Sequence, residues 1–161
     1  MVEALVQFFS EIIPAELTVF VISLLPVLEL RGGLVAAKLL GVDLIPAMII
    51  GFIGTILPTP FILLFIRKIF DWMRNTRLVK LVDKLEAKGR SKFDQIEKYK
   101  TFGLLIFVGI PLPGTGAWTG SLVAALMKMP FKNAMISVVG GTLMADLLMA
   151  IFSYGLLGLF F

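Results

Sequence analysis

The 161 residues are 58% apolar and only 16% charged, with a mean hydropathy of +0.98. Soluble domains carry about 25% charged residues, so the composition excludes an ordinary soluble domain and predicts an all-α integral membrane protein. Net charge is +4, and the absence of both cysteine and histidine excludes disulfides, thiolate chemistry and the usual zinc ligands.

The first segment, 1–16, has acidic residues where a secretory signal would carry basic ones, and no small-residue cleavage site follows. Glu3, Gln7, Ser10 and Glu11 fall on one helical face, with Leu5, Val6, Phe8, Phe9, Ile12 and Ile13 over the rest. Pro14 interrupts the pattern, which suits a helix lying in the membrane interface or, equally, one packed against the bundle. Leu17 to Leu28 is then only 12 uncharged residues, contains Pro26, and ends at Glu29 and Arg31. A span needs about 20 apolar residues, so 17–40 is expected to be a re-entrant hairpin. Leu44 to Ile66 has 23 residues without a charge and predicts a transmembrane helix. Pro46 suits its first turn, and Pro58 and Pro60 are expected to kink or break its second half.

Residues 67–100 hold eleven basic and five acidic side chains, net +6, and are expected to form a cytoplasmic helical linker. Leu78, Leu81, Val82 and Leu85 mark one amphipathic helix that stops at Gly89. Ser91 followed by Asp94 resembles a capping box for a second helix through Phe93, Ile96 and Tyr99. This block is either a solvated linker or a surface for lipid headgroups or regulation. Residues 101–127 are uncharged but divided by Pro111-Leu112-Pro113-Gly114-Thr115-Gly116, which predicts a second re-entrant hairpin. A transmembrane helix over 133–158 follows, with Asp146 its single charge.

The chain also repeats itself. Arg31-Gly32-Gly33-Leu34-Val35-Ala36-Ala37 returns 88 positions later as Thr119-Gly120-Ser121-Leu122-Val123-Ala124-Ala125. Ala47-Met48-Ile49 and Gly54-Thr55 return 87 positions later as Ala134-Met135-Ile136 and Gly141-Thr142. Repeats 17–66 and 101–161 would each hold a broken segment and an intact one. In an apolar chain, that duplication points to a transport site at the repeat interface. If both broken segments enter and leave on one side, Lys128 and Lys132 join the basic linker inside. Lysines in short loops determine orientation, which favours an inverted repeat with both termini outside.

Glu29 and Arg31 sit about 18 Å of helix beyond Leu17, near the bilayer midplane if that arm is helical. A charge there needs a partner or water. Arg31 has the donor fork to recognise an anion, and Glu29 would balance it or take up a proton; a surface-exposed turn is the bland alternative. Asp146 lies about 20 Å along a helix from Lys132, at a depth where it could pair with Arg31 or carry a proton. In the second tip, Pro111, Pro113, Gly114, Thr115 and Gly116 break the backbone. Freed N–H and C=O groups there suit a polar or anionic ligand, and Trp118 would line the cavity. Packing through Gly116 and Gly120 is the structural alternative. No nucleotide loop, nucleophile triad, paired-carboxylate site or metal cluster is apparent, so neither an enzyme nor a nucleic-acid binder is expected, and no cofactor.

Glu29-Leu30-Arg31-Gly32-Gly33 after a proline-broken arm, with Pro111-Leu112-Pro113-Gly114-Thr115-Gly116-Ala117-Trp118-Thr119-Gly120 opening the second half, resembles the small multidrug export family, a compact relative of the DedA superfamily. The resemblance implies two re-entrant hairpins, each followed by a spanning helix, and puts Glu29, Arg31, Gly32 and Gly33 at the first tip of the site. It implies a plasma-membrane exporter of small molecules, with proton coupling suspected, or alternatively a lipid or lipid-phosphate translocase of DedA type. The longer DedA proteins carry further helices and arginines that this sequence lacks. Two spanning helices make a small bundle, so a homodimer among membrane lipids is expected. A non-transporting membrane partner acting through the basic block is a third reading.

Overall fold

The computed structural model describes residues 2–90, 100–112 and 114–156. It is helical, and among the described residues there is no strand. Helix α1 (Val2–Ser10) leads into α2 (Ala15–Leu24), which starts directly after Pro14 and breaks at Leu25–Leu28. Helix α3 (Glu29–Leu39) follows and packs back on α2. Helix α1 packs against α2 and α3 and leaves Phe8, and Ile12 just beyond its end, exposed. Val6 is buried with Ile22, Leu28 and Ala36, while Glu3, Gln7, Ser10 and Glu11 stay exposed.

Helix α4 (Leu44–Ile56) and α5 (Thr59–Arg74) are separated only by Leu57 and Pro58, both of which keep right-handed helical dihedrals. The expected break is therefore mild. Pro60 removes the N–H that would bond the Ile56 carbonyl, and the Thr59 hydroxyl donates to that carbonyl instead, at 2.8 Å. Leu44–Ile66 is one apolar stretch of 23 residues, long enough to cross a membrane, and α5 runs eight residues beyond it. Ile45, Ile49, Ile53, Leu57, Phe61 and Leu64 form an exposed stripe along it, an apolar face compatible with lipid.

Helix α6 (Val79–Arg90) folds back over α5. Arg74 pairs with Glu86, and that hydrogen bond holds the Arg74 guanidinium above its ordinary range. Val82 is fully buried, and α6 packs against a helix of the second half, so it is more than a solvated linker. It runs to Arg90, one residue past the stop expected at Gly89. The second linker helix, expected from Ser91 through Tyr99, lies outside the described residues.

The second half contains α7 (Lys100–Gly109), α8 (Ala117–Leu126) and α9 (Phe131–Ala150), the last continued by a π-helical turn (Ile151–Leu156). Phe131–Gly155 is the second stretch able to cross a membrane. Helix α9 joins the two halves. Ala134 and Val138 pack with Leu104, Val108 and Val123 of the second half, whereas Ala145 and Met149 pack with Val19, Leu30 and Leu34 of the first. Within a bilayer such contacts depend on close approach rather than on expelling water. Gly33 illustrates this: a Cβ there would run into Ser23 Oγ, so only glycine lets α3 lie this close to α2.

Candidate functional site

Residues of the two broken segments contact each other: Glu29 and Arg31 of the first bind groups of the second. At the first, the chain turns sharply into α3 through Glu29, whose φ of 49° lies in the left-handed region rarely used by residues with a side chain. Such conformations survive where the surroundings fix them, often at functional sites. Here the fixing contacts are visible. The buried Glu29 carboxylate accepts hydrogen bonds from the backbone N–H of Ala117 at 3.2 Å and of Trp118 at 2.9 Å. These are the first residues of α8, whose N-cap, Gly116, has no side chain to offer. Glu29 therefore caps a helix that lies 88 residues away in sequence, where its charge also meets the positive end of the helix dipole.

Arg31 does the complementary work. One terminal nitrogen, Nη1, donates to the carbonyls of Leu112 at 2.9 Å and Thr115 at 2.8 Å. The other, Nη2, donates to Ile110 O at 2.9 Å, to Thr115 Oγ1 at 2.9 Å and, more weakly, to Val108 O at 3.5 Å. Val108 belongs to the last turn of α7, where a cation meets unpaired carbonyls and the negative dipole end. Residues two apart on a helix do not face each other, so Glu29 and Arg31 reach opposite ends of the break between α7 and α8.

The other expected residues are placed as follows. Gly32 is buried, and a Cβ on it would come within 2.6 Å of Leu28 Cβ. Gly116 has a φ of 125° and sits against Glu29, whose carboxylate occupies the space a side chain would need. Pro111 and Gly114 are exposed, and Thr115 hydroxyl lies 2.7 Å from Leu112 O and 2.8 Å from Ile110 O, tying the loop to itself. Pro113 lies outside the described residues. The Trp118 indole N–H is buried and has no partner among the described residues. Asp146 is buried on α9, and its Oδ1 is likewise without a partner. Arg31 does not pair with it, because the recorded acceptors of Arg31 all belong to the second tip and the end of α7.

Two spaces adjoin these contacts. A small cavity of about 10 Å³, room for roughly one water, is lined by Glu29, Thr55, Gly116, Ala117, Thr142 and Ala145. Thr55 and Thr142 are the repeat-related threonines, and sequence reading passed over them as sites because a lone threonine in an apolar helix looks like filling. Their 87-residue offset, matching the 88 between Glu29 and Ala117, was the available signal. An open recess of about 570 Å³ lies between the tips, lined by Val27, Arg31, Val35, Leu112 and Thr115, with Lys88 and Thr119 also on its wall. Neither Lys88 nor Thr119 was singled out from sequence.

A family model described as "Putative small multi-drug export protein" matches residues 29–148. The chain belongs to that family. The match starts at Glu29 and ends two residues after Asp146, so the matched region contains every hydrogen bond just described. Two apolar helices in a member of this family are compatible with a membrane location. No curated protein and no solved structure matches the chain.

Proposed function

We propose that the chain is a multi-pass transporter of the plasma membrane that exports small molecules through the place where the two broken segments meet. One observation carries this reading: Glu29 and Arg31 of the first segment hold the two ends of the break in the second, beside a recess of about 570 Å³. Broken helices docked at a shared centre are the usual way transporters expose backbone groups to a substrate.

The proposed arrangement is an inverted repeat, with α2–α3 and α7–α8 as re-entrant hairpins. In support, α3 and α8 start 88 positions apart, and α4 and α9 start 87 apart, the same offsets as the sequence repeat. Arms of 10 and 11 residues reach about 15 Å, half of a hydrocarbon core of roughly 30 Å. Both termini then lie outside, and the linker lies in the cytoplasm. Asp146, buried within the second span, is the group proposed to carry a coupling proton, with Glu29 as the other candidate. The exposed apolar stripe of α4 and α5 is available for a second copy of the chain as well as for lipid.

The test is transport by purified protein in vesicles. Efflux of a cationic dye should depend on an imposed pH step, and Asp146→Asn should abolish that dependence while the protein still purifies as a folded species. Movement that ignores pH in both proteins would remove the coupling, and no movement of any dye would remove the exporter. The DedA-type alternative, lipid-phosphate translocation, would instead give lipid transfer that requires Arg31 and ignores the proton gradient. It has less support, since the terminal N–H groups of Arg31 are already engaged by carbonyls.

A further inference from the structure

Five oxygens around the second break converge on one point: the carbonyls of Val108, Ile110, Leu112 and Thr115, and the Thr115 hydroxyl. The guanidinium of Arg31 fills that point at 2.8–3.5 Å. We infer that this ring of oxygens is a receptor for organic cations bearing N–H donors, such as guanidinium, amidinium or protonated amine, and that Arg31 occupies it as a tethered stand-in. The inference names the substrate class of the proposed transport site and rests on that reading only for the direction of movement.

The chemistry of the ring is one-sided. Four of its five oxygens are carbonyls, which only accept, and the end of α7 adds the negative end of a helix dipole. An anion arriving here would have to pull Arg31 away and leave the carbonyls of Val108 and Thr115 without their recorded donors, whereas Ile110 O and Leu112 O keep donors from within the loop. An incoming cation replaces Arg31 in kind. The oxygens stay satisfied, and no new net charge is buried in the ring.

Access and space fit the same ligand. The bonds from Arg31 to Leu112 O and Ile110 O are not covered by protein, so the ring opens outward. It opens beside the recess of about 570 Å³, within the size range that holds drug-sized molecules. Pro26, Val27, Val35 and Met149 line that recess and suit an apolar body attached to the cationic head. Lys88 on the wall is exposed, so water and salt screen its repulsion, whereas the ring oxygens act at contact. A ligand that must first displace a built-in cation binds with its intrinsic affinity reduced by the fraction of time the ring stands open. The geometry therefore points to weak binding with broad tolerance of the apolar body.

The test uses the full chain with Arg31→Ala, purified in detergent, and follows its melting temperature as methylguanidinium is added. The variant should melt below wild type and recover along a saturating curve in the low millimolar range. Tetramethylammonium at equal ionic strength, which has the charge but no N–H, should give no recovery. Equal recovery by both ions, or by neither, overturns the inference. Should Arg31→Ala fail to fold, Leu112→Cys in this cysteine-free chain, with Arg31 intact, provides a second reading. Benzamidinium should slow alkylation of the introduced thiol about twofold at its half-saturating concentration. Unchanged alkylation across the soluble range overturns the inference. Protection without dye efflux in vesicles would uphold the receptor while removing the exporter.

Discussion

The two breaks solve the same problem in opposite ways. The first, Leu25–Leu28, is a short turn that satisfies its own backbone: Leu28 N–H and Glu29 N–H both donate to Leu25 O, at 3.2 and 2.9 Å. The second, from Ile110 to Gly116, is longer. It too bonds to itself, from Leu112 N–H to Ile110 O at 2.8 Å and from Thr115 N–H to Leu112 O at 3.3 Å, but side chains from the other half of the molecule close both of its ends. The Glu-Leu-Arg sequence at the first tip therefore serves the second tip more than its own. A backbone that closes itself is rigid, whereas one closed by two removable charges can open. The second break is accordingly the place to look for motion.

That contrast can be broken by substitution. Arg31→Ala should have the largest effect, since it removes five hydrogen bonds and leaves the carbonyls of Val108 and Thr115 without a recorded donor. A loss of about 2–4 kcal/mol is expected, the partial exposure of the site holding it below a fully buried case. Equilibrium unfolding in mixed micelles measures it. Gly116→Ala comes next, because alanine must adopt a φ of 125° and displace the Glu29 carboxylate. The backbone strain alone is worth about 1–3 kcal/mol, and the same assay reads it. Pro26→Ala, in the exposed turn of the first break, should change stability by no more than about 1 kcal/mol, mostly through the unfolded chain. If Pro26→Ala proved as damaging as Arg31→Ala, the two breaks would not differ in the way described.

Much of the frame was legible in the sequence. The repeat offsets of 88 and 87 residues recur between the starts of α3 and α8 and of α4 and α9, because hydrophobic length and proline or glycine punctuation act locally. Leu44–Ile66 was visible as a span for the same reason. The partners of Glu29 and Arg31 were not visible. Both side chains bind backbone groups 77–89 residues away, and a backbone carbonyl or N–H has no signature in sequence. Arg31 suggested an anion because a guanidinium fork matches one, but the nearest fitting acceptors were the molecule's own carbonyls. The return of α6 onto α8 was hidden too, since Val82 in an amphipathic repeat gives no sign of which surface will cover it.

Amide hydrogen exchange at Trp118, compared between wild type and Glu29→Ala, gives the most direct test of closure across the two halves. Loss of the carboxylate should speed exchange at Ala117 and Trp118 by at least about tenfold, while amides in the middle of α3 keep their protection. Unchanged protection at Trp118 would mean that the second break is held by its own chain, and that Glu29 closes nothing.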